Sequence, residues 1–224
     1  MKKGILAGLA ATFSLFLSLH LFHSFVLGKV LYHGLLCFFL PLMHIGCSGS
    51  KWKENWKGMG FRVPLGRRAF AWTVFLCVLL WGLVFLAYFL FGRYIPEKQE
   101  LWELIRALGV SRASLYLIGV YVIVINPFLE ELFWRGYVQS FLMNGCSSWL
   151  RILVPSIFFG AIHFFPLILV LPVGQSLIIS GGIGCVGALW AFSRVHSDSL
   201  FPALLSHSIG ADLMLVYLAW RILF

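Results

Sequence analysis

Charge at bilayer depth costs about 2.5–3.5 kcal/mol per side chain on insertion scales, so an ionisable residue inside an apolar segment marks a cavity or a partner. Three stretches of this sequence carry such residues. They are Asn126-Pro127-Phe128-Leu129-Glu130-Glu131-Leu132-Phe133-Trp134-Arg135, then Phe159-Gly160-Ala161-Ile162-His163, then Ser206-His207-Ser208-Ile209-Gly210-Ala211-Asp212. A carboxylate in a low-dielectric cavity can act as a general base near physiological pH, and a nearby imidazole can share its proton or hold the attacked water. A second imidazole aimed at a developing oxyanion contributes about 2.7–4 kcal/mol by analogy with other donors. Arg135 stands at i+4 from Glu131 and i+5 from Glu130, so its better partner is Glu131, which leaves Glu130 free. Pro127 lacks an amide proton and should break or kink the chain just before the glutamates, leaving backbone that only a buried or wet pocket tolerates.

The elements that must position these residues are membrane spans. Of 224 residues, 61% are apolar and 11% charged, where a soluble domain carries roughly 45–50% and about 25%. Apolar runs of about 20 residues recur along the whole chain. We read seven spans, at 4–27, 30–45, 69–91, 113–128, 152–170, 171–192 and 200–223. The fold class is all-α, a polytopic transmembrane bundle forming a single membrane domain. Residues 1–112 supply N-terminal spans and an amphipathic linker, and 113–224 the motif-bearing core. The second and fourth runs are short, so they are either half-buried or extended through less apolar flanks. The first exceeds the roughly 7–15 residues of a signal-peptide core and lacks an AxA exit, which makes it an uncleaved helix. Between 96 and 112, Leu101, Leu104, Ile105 and Leu108 at helical spacing predict an amphipathic surface helix. Ser180, Gly184 and Ala188 recur every fourth residue in the sixth span, a small-residue face for close helix packing rather than a phosphate loop.

A net charge of +9 would point to nucleic acid in a soluble protein, but here the basic residues lie in loops and set orientation, so no nucleic-acid partner is expected. The densest basic loop, Lys51, Lys53, Lys57, Arg62, Arg67 and Arg68 against Glu54, should face the cytoplasm. At about 1.5 Å per residue, His207 then lies roughly 12 Å and His163 roughly 16 Å from the cytoplasmic ends of their spans. Glu130 lies near the inner end of its own, so all three can share a cytoplasm-facing intramembrane cavity. The five cysteines show no CxxC or CxH spacing, which indicates neither a disulfide framework nor a zinc cluster.

Glu-Glu-x-x-x-Arg, then Phe-x-x-x-His, then a later His, each on a hydrophobic span, resembles the CAAX-protease and bacteriocin-processing family of intramembrane glutamic proteases. The resemblance covers the C-terminal half from Ala113 onward. It implies an intramembrane endopeptidase in which Glu130 acts with His163 to activate water, His207 stabilises the oxyanion, and Glu131 and Arg135 support them. One departure stands out: the family places Asn, or sometimes Asp, four residues after the last histidine, and here that position is Ala211. Asp212 follows at i+5, which points away from His207 on a regular helix and toward it only if the helix widens near Gly210.

Other readings stand beside this one. A zinc protease could use Glu130, His163 and His207 as ligands, although a metal-free mechanism with no cofactor is favoured. A non-catalytic immunity or adaptor protein, or a proton-coupled transporter, could use the same intramembrane Glu and His. His20, His23, His33 and His44 are assigned to packing and interfacial roles, and Trp52, Trp56, Trp72 and Trp102 to interfacial anchoring. His196 and Asp198 are read as solvated loop residues. The expected partners are the lipid bilayer and a peptide or protein substrate, lipid-modified or membrane-anchored at its tail. A bacterial plasma membrane is favoured over the endoplasmic reticulum, because the chain is a compact core without soluble extensions.

Overall fold

The structure is a computed structural model that describes residues 1–47, 52–62 and 66–224; Lys51 of the expected basic loop lies outside the described residues. Among the described residues, seven helices are long and apolar enough to cross a membrane: α1 (Lys2–Leu21), α2 (Phe25–Gly46), α4 (Arg67–Tyr94), α6 (Ser114–Leu142), α7 (Ser148–Leu167), α8 (Val173–Ser197) and α9 (Phe201–Leu223). Two short helices, α3 (Trp52–Gly58) and α5 (Lys98–Ala107), lie between them. No strand occurs among the described residues. In a membrane this is the expected solution, since each helix satisfies its own backbone where water is absent.

The span boundaries differ from the sequence reading at two places that matter for the site. The first apolar run stops at Leu21 because His23 adopts a left-handed backbone (φ 46°). Ser24 then opens α2, its hydroxyl accepting from the Leu27 amide at 3.2 Å. Phe25, Val26 and Leu27, expected in the first span, thus belong to α2, and Gly28 and Lys29, expected between the spans, lie in it too. The fourth run, expected to end at Phe128, continues through the glutamates to Leu142. Pro127 does not break it. The missing proline amide frees only the Ile123 carbonyl, the turn over Tyr121–Ile125 widens to π-helical pitch, and the Ser208 hydroxyl of α9 donates to that carbonyl at 2.5 Å. A neighbouring helix thus supplies the bond that proline removes. Glu130, expected near the inner end of its span, is instead twelve residues from Leu142, about 18 Å along the axis.

Small residues set the closest packing. The Ser180 hydroxyl donates to the Gly160 carbonyl at 2.6 Å, joining α7 to α8. A Cβ on Gly160 would lie 2.8 Å from the Ser180 oxygen and 3.1 Å from Gly184 Cα, so the two backbones touch. This is the use expected of a small-residue face between membrane helices. Gly210 does the same for α4 and α9: a Cβ there would meet Cys77 Cα at 3.0 Å.

The two ends of the bundle are tied differently. At the basic end, Arg194 donates to the Gly58 carbonyl at 2.7 Å and to Asp198 at 2.8 Å, Arg62 pairs with Asp198, and the Leu200 amide donates to the Gly60 carbonyl at 2.9 Å. Asp198 is exposed, as its loop position suggested, and is also an ion-pair centre for Arg62 and Arg194. These bonds hold the segment after α3 against the α8–α9 turn on one side of the bundle. At the opposite end α5 lies over the close of α9, with Lys98 Nζ donating to the Phe224 carbonyl at 3.0 Å and the Trp102 indole to the Leu223 carbonyl at 3.4 Å.

Candidate active site

Glu130 and Glu131 follow one turn after the widened segment of α6, and both are buried, at 3% and 1% exposed. Their neighbours separate their roles. Glu131 Oε1 accepts from Arg135 Nη1 at 2.9 Å and from His207 Nδ1 at 3.0 Å. Arg135 donates its other terminal nitrogen to the Gly187 carbonyl at 3.0 Å, and its guanidinium packs 4.5 Å from the Phe159 ring centre and 5.2 Å from that of Trp190. Buried charges persist in this way only when paired and hydrogen-bonded. Glu130 makes no contact with Arg135. Its Oε1 is 3.5 Å from His33 Nε2, its Oε2 is 3.7 Å from His207 Nε2, and that Oε2 has no hydrogen-bond partner.

Both histidines of the motif are oriented through Nδ1. A backbone carbonyl only accepts, so the 2.6 Å bond from His163 Nδ1 to the Phe159 carbonyl fixes the proton on Nδ1 and leaves Nε2 as the second face of the ring. His163 lies within electrostatic reach of both Glu130 and His207. His207 is held more firmly: Nδ1 is on Glu131, and Trp190 stacks over its ring at 4.3 Å with a 20° tilt. The Trp190 indole is itself anchored on the Ser206 hydroxyl at 2.9 Å.

Asp212 is brought to the site by a helix distortion. Ser206–Asp212 is π-helical, so each turn holds more residues than a regular helix and i+5 falls where i+4 would. Asp212 Oδ1 consequently lies 3.7 Å from His207 Nε2. Its other oxygen accepts from the Asn126 side-chain amide at 3.2 Å. The amide that the resemblance expects four residues after His207 is absent from α9, and in space an amide from α6 occupies the neighbourhood instead.

Two participants were not identified from sequence. Asn126 was visible only as the residue before Pro127. His33, assigned to packing, has one ring nitrogen on Glu130 and the other 2.5 Å from the Tyr121 hydroxyl. No carboxylate is near it in sequence; its partner comes from a helix 97 residues away, so spacing alone carried no signal. His20, by contrast, contacts the Phe165 carbonyl at 3.0 Å and remains a packing residue.

Beside His33, α2 and α6 part to leave a groove of about 670 Å³, lined by apolar side chains together with Lys29, His33, Ser114 and Tyr121. It lies in the half of the bundle away from the basic end and opens sideways between two helices. Among the described residues no group of three His, Cys, Asp or Glu side chains is arranged to hold a metal ion.

No curated protein and no solved structure matches the chain. Residues 112–211 match the model of the family described as type II CAAX prenyl endopeptidase Rce1-like. That segment holds Glu130, Glu131, Arg135, His163 and His207, and ends one residue before Asp212. Over that segment the chain, whose described residues include seven helices long and apolar enough to cross a membrane, is similar to the CAAX-protease family, a family of proteases acting on peptide or protein substrates.

Proposed function

We propose that the protein is a metal-independent glutamic endopeptidase that hydrolyses a peptide bond within the membrane, with Glu130 as general base. The observation that carries this reading is the division of labour between adjacent carboxylates. Glu131 is spent on Arg135 and His207, whereas Glu130 keeps an unpaired oxygen beside two histidines. A water between Glu130 and the His163 ring would lose its proton to Glu130 as its oxygen forms the bond to the scissile carbonyl carbon. The resulting oxyanion needs a donor. With one His207 proton held by Glu131 at Nδ1, Nε2 donates only when the ring carries both protons, and the Glu131 carboxylate is the counter-ion for that state. Asp212, held by Asn126, faces the same Nε2 and orients it or, if protonated, donates to the oxyanion itself. Collapse of the tetrahedral adduct breaks the C–N bond, and the proton on Glu130 passes to the leaving amine.

The substrate in this reading is a protein with a membrane-associated tail: a prenylated C-terminus, a bacteriocin leader or a C-terminal sorting signal. The positive loops would lie in the cytoplasm, and the membrane would be a bacterial plasma membrane. Glu130→Gln is the test. The amide keeps the shape but cannot take a proton from water, so cleavage of a tail-bearing reporter should be abolished while the protein inserts and accumulates. An active Glu130→Gln variant would falsify the glutamic mechanism.

A further inference from the structure

A second pocket lies at the basic end of the bundle, apart from the candidate active site. It holds about 220 Å³ and is lined by Gly58, Ser140, Arg151, Arg194, Val195 and Asp198. Four helices deliver these residues to one level. Gly58 closes α3, Ser140 lies two residues before the end of α6, Arg151 three after the start of α7, and Arg194 three before the end of α8. At about 1.5 Å per residue the pocket sits roughly 3–5 Å inside the helix ends, the level at which the headgroup region meets the hydrocarbon core. Its charge is unbalanced. Arg194, whose side chain is 7% exposed, gives one terminal nitrogen to Asp198 and the other to the Gly58 carbonyl and the Ser140 hydroxyl. Arg62 pairs with the second oxygen of Asp198, so that one carboxylate already serves two guanidiniums. Arg151 has no share in it. Its Nε donates to the Gln139 carbonyl at 3.1 Å, and among the described residues no acceptor engages its two terminal nitrogens and no carboxylate lies within ion-pair distance. Yet Arg151 is within electrostatic reach of Arg194. Two guanidiniums facing one pocket repel each other, and an anion between them turns that repulsion into two attractions.

We infer that this pocket binds a phosphate group between Arg151 and Arg194, and that the bound phosphate ties α7 to α8. A guanidinium fork matches phosphate oxygens two at a time, and the terminal nitrogens of Arg151 are free to make that match. The other polar groups fit an anion as well. The Ser140 hydroxyl gives its own proton to the Arg135 carbonyl at 3.0 Å, and the Asp198 carboxylate is held by Arg62 and Arg194, so the hydrogen-bond capacity left over belongs to donors. The volume is below the roughly 300–1,000 Å³ of pockets that enclose a drug-sized ligand, which suits a headgroup phosphate. Depth points to the same source. An anionic phospholipid of the leaflet at the basic end carries its phosphate at this level, and the α7 surface further along, at Leu153 and Ile157, is exposed and apolar, as acyl chains require. Free phosphate has the same chemistry and is the other source. Because Arg194 also holds the Gly58 carbonyl, an occupied pocket supports the docking of α3 and the stability of this end of the bundle.

The test is thermal unfolding of the delipidated protein in a neutral detergent, titrated separately with phosphatidylglycerol, phosphatidylcholine and inorganic phosphate. Phosphatidylglycerol should raise the melting midpoint saturably, since a ligand of the folded state stabilises by mass action. Phosphatidylcholine, whose choline offsets the phosphate charge, should not. Arg151→Gln removes the free guanidinium while its amide can still donate to the Gln139 carbonyl, and it should need about 10- to 100-fold more phosphatidylglycerol for half the shift, the size of one charge-assisted hydrogen bond. Arg68→Gln, exposed at the start of α4 and outside the pocket, should titrate like wild type. A shift produced by inorganic phosphate and lost in Arg151→Gln supports the same site with soluble phosphate as its source. No shift from either phosphatidylglycerol or phosphate overturns the inference. So does an equal response to the two lipids, or an equal loss in Arg151→Gln and Arg68→Gln, which would mark diffuse surface charge. Arg194 also holds α3, so Arg151 carries the test; if Arg151→Gln does not accumulate, Arg151→Lys, which keeps the charge but loses the fork, decides it, a weaker titration supporting the site and an unchanged one overturning it.

Discussion

Removing the Arg135 guanidinium should be the most damaging single change in the chain that leaves Glu130 untouched. Arg135 is 1% exposed and, among the described residues, is the only cation bonded to the equally buried Glu131, apart from His207 when that ring is protonated. Arg135→Met keeps much of the volume against Phe159 and Trp190 but strands the Glu131 charge and the Gly187 carbonyl. Breaking one side of a buried pair costs about 3–5 kcal/mol, because the remaining charge is neither solvated nor matched. For a chain of this size each kcal/mol moves a melting midpoint by about 2–4 °C, which gives a loss of about 6–20 °C. The assay is thermal unfolding of purified protein in a fixed detergent, alongside its abundance in membranes. The double variant Glu131→Gln/Arg135→Met removes both charges while the substituted side-chain amide can still accept from His207 Nδ1, so it should recover most of the midpoint. An Arg135→Met protein that melts and accumulates like wild type would refute the claim that this pair holds the site together, and so would a double variant less stable than the single one.

The remaining predictions address chemistry and orientation. Asp212→Ala should lower turnover by about 100-fold or more if that side chain donates to the oxyanion, whereas Asp212→Asn, which keeps a hydrogen-bonding group facing His207, should preserve much of the activity; unchanged turnover in Asp212→Ala, with normal insertion, would remove Asp212 from the site. Asn126→Ala should weaken turnover in the same direction by freeing Asp212, and should add little to Asp212→Ala in the double variant, a non-additivity that a double-mutant cycle reads directly. Treatment with a strong chelator should leave cleavage unchanged; loss of activity restored by zinc would replace the glutamic mechanism with a metal one. Cys47, exposed at the end of α2, should resist a membrane-impermeant thiol reagent in intact cells and react after permeabilisation; labelling of intact cells would invert the orientation.

What could be known before any coordinates were the class and the motif. Repeated apolar runs determine a membrane bundle because only helices satisfy their own backbone in lipid. Likewise i, i+4 spacing determines that Arg135 reaches Glu131, since both lie on one turn of one helix. Hydropathy also located six of the seven spans to within a few residues over most of their ends. It failed at α6, because the stretch from Leu129 to Arg135 is polar enough to look like a loop, and only burial against other helices makes it tolerable as a helix in the bilayer. The position of Asp212 is a tertiary decision: its i+5 spacing excludes it from the site on a regular helix, and the π-helical stretch over Ser206–Asp212 brings it back. Equally tertiary are the bond from Ser208 that carries α6 past Pro127, the Asn126 amide on Asp212, and the approach of His33 to Glu130. Each joins helices separated by 85 or more residues. Local periodicity reports which face of a helix is apolar, but not which other helix that face will meet.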